Sequence, residues 1–122
     1  MLFRSGMGVI EKNYQMMVDR GRMSKEQKDM VMGLITQTLT YDDLSDVDIA
    51  VEAVYENLDL KQEIFKSLDS VTKEHAILAS NTSGLDIDAI ASSTTRPGKV
   101  VGTHFFSPAN VKIGRASCRE RV

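Results

Sequence analysis

Apolar positions recur along this chain with two different periods, and the change of period divides it. Between Val9 and Gly21, the residues Ile10, Tyr14, Met17 and Val18 fall at i, i+4, i+7 and i+8, which is one face of a helix. Gly21 is placed to end that helix, because glycine takes the left-handed backbone of a helix stop without steric cost. Ser24-Lys25-Glu26-Gln27 then has the form of a capping box, and Met30, Val31, Leu34 and Ile35 supply the stripe of a second helix. Together they predict a helical hairpin.

The strand period takes over after the hairpin. Thr36–Thr40 is rich in β-branched residues and predicts a short strand. Tyr41–Asp46 is a polar connection. Val47–Val54 predicts a strand, Asn57 a helix cap, and Asp59 a favourable charge in the first turn. Leu58, Ile64, Phe65, Leu68 and Val71 form the apolar side of that helix. A strand at Ala76–Ser80, a short helix near Asp86–Ser92 and a strand at Lys99–Thr103 complete the series. The order strand, helix, strand, helix, strand predicts right-handed crossovers and a mostly parallel α/β sheet. The apolar runs Ala76–Ala79 and Val100–Gly102 read as buried strands of that sheet.

A length of 122 residues allows one domain, and a formal charge of -2 supplies no basic field for nucleic acid. No apolar run approaches the ~20 residues of a membrane span. Met1–Ser5 lacks the apolar core of a signal peptide. The single cysteine, Cys118, excludes an internal disulfide framework and fits a reducing, cytoplasmic-type compartment.

Both ends depart from the pattern. Ile113–Val122 matches no structural period, and it reads as the translation of a common sequencing adapter, ATC GGA AGA GCG TCG TGT AGG GAA AGA GTG. Leu2-Phe3-Arg4-Ser5 reads likewise as CTC TTC CGA TCT. The expectation is therefore that residues 1–5 and 112–122 are artefacts and that residues 6–111 are one segment of a longer gene. Cys118 then carries no inference.

Candidate chemistry gathers where the strands end. Ligands of open α/β sheets bind beyond the carboxyl ends of the strands. Ser83 follows the Ala76–Ala79 run and His104 follows Val100–Gly102, so a hydroxyl and an imidazole are predicted at one rim. A neutral imidazole can take a proton from an alcohol near neutral pH. Asn81-Thr82-Ser83-Gly84 is either a turn or a set of hydrogen-bonding groups aimed at a ligand. Glu52 interrupts an apolar run, so it faces a polar cleft or leans out of the sheet. Lys61 is either a solvated surface lysine or a partner for a phosphate or carboxyl group. His75 is expected at the opposite rim, facing solvent. Gly6-Met7-Gly8 follows no strand and lacks a third glycine, so it reads as a helix start rather than a dinucleotide loop. Two histidines and no usable cysteine argue against a zinc site.

The segments GMGVIEKNY, DIAVEAVYENLDLKQEIF, AILASNTSGLDIDAIA and RPGKVVGTHFFSPANV resemble the NAD-binding domain of the 3-hydroxyacyl-CoA dehydrogenases. VEAVYEN, SNTS and HFFSP stand in the family's order and spacing. The HFFSPAN form is most similar to multifunctional fatty-acid oxidation enzymes, which carry a fused enoyl-CoA hydratase. The resemblance implies a partial Rossmann-type doubly wound parallel sheet with a helical hairpin, lacking its first two strands. It implies NAD as cofactor, an acyl-CoA substrate, and oxidation of (S)-3-hydroxyacyl-CoA to 3-oxoacyl-CoA in β-oxidation. It implies that His104 and Ser83 are catalytic, that Ala53, Val54, Tyr55, Glu56, Lys61, Asn81 and Ser83 contact the cofactor, and that Ser83 and Ser107 contact the substrate. No metal is implied. The compartment implied is the cytoplasm, or the peroxisome or mitochondrial matrix of a eukaryote. The glycine-rich phosphate loop would precede Gly6, and the glutamate that orients the histidine would stand where Ala116 is. The alternatives are a non-catalytic Rossmann-fold binding relative, or a dehydrogenase of a small hydroxy acid.

Overall fold

Gly21 ends the first helix as the spacing predicts. Its φ is 66°, its N–H donates to the Val18 carbonyl at 2.9 Å, and the Arg22 N–H donates to the Met17 carbonyl at 2.9 Å. That pair of bonds is a Schellman stop, available to glycine because no Cβ opposes a positive φ. The computed structural model describes residues 2–105 and the backbone of 115–117. It divides into two units, Met1–Leu39 and Thr40–Val122.

In the first unit, α1 spans Leu2–Asp19 and α2 spans Lys25–Gly33. The helix thus starts well before Val9, and Gly6 and Gly8 lie inside it, as expected for a segment that is not a dinucleotide loop. The capping box forms at both ends: Gln27 N–H donates to Ser24 Oγ at 3.1 Å, and Ser24 N–H donates to Gln27 Oε1 at 2.9 Å. Lys28 on α2 links back to α1 through Gln15 at 2.9 Å and Glu11 at 3.3 Å. No described side chain of this unit is fully buried.

The predicted strand at Thr36–Thr40 does not form. β-Branched residues favour extended backbone, but a strand exists only when its N–H and C=O groups find a partner. Among the described residues no sheet edge pairs with this segment, and Leu39 is left exposed. The polar connection that follows is a single 3-10 turn over Tyr41–Leu44, capped by Thr40.

The second unit is the α/β alternation. β1 spans Ile49–Glu52, α3 Leu58–Val71, β2 Ile77–Ser80, α4 Ile87–Ala91 and β3 Val100–His104. Asn57 caps α3 by accepting from Leu60 N–H at 2.9 Å. The three strands are parallel, with Ala50 beside Leu78 beside Val100, and Glu52 beside Ser80 beside Gly102. Ala50, Leu78 and Val100 form one row of the core with Phe65 and Leu68 of α3 and Ile90 and Ala91 of α4. Strand order follows chain order, and crossovers of one hand then place successive helices on one face of the sheet.

A fourth strand, β4 at Arg115–Ser117, pairs antiparallel with β3, His104 standing opposite Arg115. The sequence pattern gives no hint of it. A strand edge offers a row of unpaired backbone groups to any extended segment, whatever its side chains.

Candidate functional site

Parallel pairing fixes the site. Glu52, Ser80 and Gly102 lie side by side, so the residues that follow each strand leave from the same carboxyl rim. Ala53–Glu56 leave β1, Asn81–Gly84 leave β2, and β3 ends in His104. Ser83 and His104 are both exposed there. His75 lies before β2, at the other end of the strands, and is exposed, as expected.

The loop after β2 is closed by a threonine. Thr82 is buried, and its Oγ1 accepts from Leu85 N–H at 3.0 Å while donating to the Glu56 carboxylate. Glu56 also accepts a longer contact from Ser83 N–H at 3.5 Å. The Thr82 hydroxyl holds the Glu56 carboxyl below the usual carboxylate range; desolvation opposes this, while Ser83 N–H and the charge of Lys61 add to it. A carboxylate from the first loop therefore fixes the turn that carries Ser83. Asn81–Gly84 is a turn, and it leaves Ser83 exposed at the rim.

Asn81 supplies the most telling atom. Its backbone N–H donates to the Glu52 carbonyl at 2.8 Å, which extends the parallel ladder by one bond. Its side-chain Oδ1 is buried and, among the described residues, accepts no hydrogen bond. Burying an acceptor without a donor is costly, so native sites leave one open where a ligand or water supplies the partner. A ribose hydroxyl is such a donor, so the residue fits the nicotinamide ribose of NAD that the resemblance implies beside Asn81.

Glu52 and Lys61 are placed differently from the solvated readings of each. Lys61 is fully buried, and its Nζ lies 2.6 Å from Glu52 Oε1. The physical reason is position: Lys61, Phe65 and Leu68 share one face of α3 at i, i+4 and i+7, and Glu52 lies on the same side of the sheet as Ala50. The signal is present in the sequence, as a carboxylate interrupting an apolar strand and a lysine on an apolar helix stripe. Each looks solvated alone; together they are a pair. Ala53, Val54, Tyr55 and Glu56 are exposed at the rim. Ser107 lies outside the described residues.

The family described as "3-hydroxyacyl-CoA dehydrogenase, NAD binding domain" matches residues 2–113. A glyoxysomal fatty acid beta-oxidation multifunctional protein of Brassica napus is 44% identical over 107 residues, covering 88% of this chain and 15% of the relative. A 3-hydroxybutyryl-CoA dehydrogenase of Clostridioides difficile is 43% identical over 102 residues, covering 84% of this chain and 36% of the relative. The crystal structure of an (S)-3-hydroxybutyryl-CoA dehydrogenase from Ralstonia eutropha superposes with a TM-score of 0.88 at 32% identity, over 93% of this chain and 40% of that one. The chain thus spans well under half the length of these relatives.

Proposed function

This chain belongs to the family of NAD-binding domains of 3-hydroxyacyl-CoA dehydrogenases, and we propose that it serves, within a longer enzyme, the oxidation of (S)-3-hydroxyacyl-CoA to 3-oxoacyl-CoA. The observation that carries this reading is the buried, unpartnered Asn81 Oδ1, set on the same strand rim as Ser83 and His104. NAD, when bound, would supply the hydride acceptor for C3 of the substrate. His104 takes the proton from the 3-hydroxyl, so the C3–O bond becomes a carbonyl as the C–H and O–H bonds break. Ser83 hydrogen-bonds the reacting oxygen and keeps its lone pair aligned for that change. Asn81 would accept from the ribose, and Ala53, Val54, Tyr55 and Glu56 would border the cofactor. Lys61 acts on this rim from beneath, through Glu52 and the Val54 carbonyl.

The natural part of the chain is proposed to be residues 6–111, with the substrate-closing domain encoded beyond it. A multifunctional chain and a peroxisomal location are features of relatives' names; for a eukaryotic source we propose that location and a fused enoyl-CoA hydratase, and for a bacterial one the cytoplasm. Sequencing intact source DNA across both ends tests the boundary: a reading frame that truly stops at Val122 defeats it. The reaction is tested in the complete enzyme by His104→Gln, following NADH. Loss of general acid–base help should lower kcat by ~10²–10⁴-fold. A kcat within about twofold of the unaltered enzyme would end the assignment.

A further inference from the structure

One buried carboxylate holds both loops of the rim. Glu52 Oε1 accepts from Lys61 Nζ at 2.6 Å and from Val54 N–H at 2.6 Å, and Oε2 accepts from Ser80 Oγ at 2.6 Å. Lys61 Nζ also donates to the Val54 carbonyl at 3.3 Å. Both polar groups of Val54 are therefore fixed by one ion pair, although Val54 is outside any helix or strand. Two residues on, Glu56 grips Thr82 and Ser83; on the other side, Ser80 leads directly into Asn81.

A buried ion pair is a poor way to gain stability, since apolar residues of similar volume often do as well. Its better-attested use is to specify one arrangement among several. Here every described contact of the Glu52 carboxylate is to the ammonium or to a residue at the end of β1 or β2. We infer that Glu52 is a positioning residue: through Val54 and Ser80 it sets the distance between the loop that borders the cofactor and the loop that carries Asn81 and Ser83. Glu52 is itself buried, so it acts through these two residues. This rests on the dehydrogenase reading above.

The test uses the complete enzyme and two variants outside the contact set. Glu52→Gln keeps the shape of the side chain and removes its charge. Ser80→Ala removes one bond and leaves the ion pair. A rim displaced by a fraction of an ångström should raise KM for NAD about tenfold in Glu52→Gln. Loss of the Ser80 bond should raise it about threefold. kcat should fall alongside in both, because the displaced loop also carries Ser83, which hydrogen-bonds the reacting oxygen. A merely structural pair would lower the melting temperature and leave KM for NAD unmoved. If Glu52→Gln and Ser80→Ala both fold and bind NAD as the unaltered enzyme does, the inference falls. If Glu52→Gln does not fold, Ser80→Ala decides alone in the same terms. Failure of the underlying reading looks different: there the unaltered enzyme neither uses NAD nor responds to His104→Gln.

Discussion

Arg96 holds the end of α3 through Asp69. Its Nε donates to Asp69 Oδ1 at 2.6 Å, one terminal nitrogen donates to the Asp69 carbonyl at 2.7 Å and to Thr72 O at 3.3 Å, and the other donates to the Lys73 carbonyl. The Asp69 and Thr72 carbonyls are ones a helix C-terminus leaves without intrahelical partners, while the Lys73 carbonyl, just beyond it, also accepts from Ala76 N–H at 3.0 Å, and the guanidinium's charge opposes the negative end of the helix dipole. The other Asp69 oxygen takes the N–H and the hydroxyl of Thr95, at 2.7 and 2.9 Å. One aspartate thus ties α3 to the turn that leads into β3.

Arg96→Ala is expected to destabilise the chain by about 2–4 kcal/mol, because it strands a largely buried carboxylate and several helix-end carbonyls at once. Arg96→Lys should recover only part of this, since an ammonium lacks the planar fork that reaches Asp69 and the backbone together. Urea denaturation of the three proteins measures both differences. Equal midpoints for the unaltered chain and the Arg96→Ala variant would mean that the cluster is replaced by water at no cost.

The same aspartate sets an acid limb. Burial pushes the Asp69 carboxyl up, but the Thr95 N–H and hydroxyl and the Arg96 guanidinium outweigh it, and its pKa lies below the ordinary aspartate range. A folded-state pKa lowered in this way stabilises the fold fully above the unfolded-state value of ~3.9 and loses that contribution as pH falls toward the folded value. The unfolding free energy should therefore decline in that acid window. In Asp69→Asn the decline should be shallower, whatever the offset at neutral pH. Parallel slopes for the two proteins below about pH 4 would assign the acid limb to other carboxylates.

Thr82 and Glu56 form the third testable contact. Thr82→Val keeps the shape and removes the hydroxyl that lowers the Glu56 pKa. The Glu56 carboxyl should then titrate closer to the usual glutamate value, as read from its side-chain carbon shifts in an NMR pH series. The turn at Ser83 should loosen in the same variant, because Leu85 N–H loses its acceptor. An unchanged Glu56 titration would show that its other contacts set the shift.

How much of this is legible in the sequence depends on whether a residue's role is local. Ser24 and Gln27, Asn57, and Gly21 act within a few residues of themselves, and each forms the cap or stop that its spacing predicts. The rim is legible too, because a parallel sheet places whatever follows its strands at one end. Thr36–Thr40 misleads because a strand is a property of two segments, and propensity speaks for one. Glu52 and Lys61 each look solvated because a charge is judged by its own neighbours in the chain. Their shared burial comes from the packing of α3 on β1, and the tie from Arg96 to Asp69 is likewise a product of tertiary packing.

The open edge of β1 gives the last prediction. β1 pairs with β2 on one side, and among the described residues nothing pairs with the other. Ile49 and Val51 are 52% and 48% exposed, beside a groove of about 370 Å³ lined by Tyr41, Leu44, Val47 and Val54. Edge strands are usually protected by an outward charge or a proline. The only charge in Ile49–Glu52 is Glu52, and Lys61 holds it inward. The 122-residue chain expressed alone should therefore self-associate as its concentration rises. Val51→Lys places a charge on that edge without disturbing the Ala50–Leu78–Val100 row, so unfolding free energy should change by less than about 0.5 kcal/mol. Sedimentation at matched concentrations should show less association for Val51→Lys than for the unaltered chain. Equal association in both would place the sticky surface elsewhere, with the exposed apolar residues of the helical hairpin, Met30 and Leu34, as the next to change.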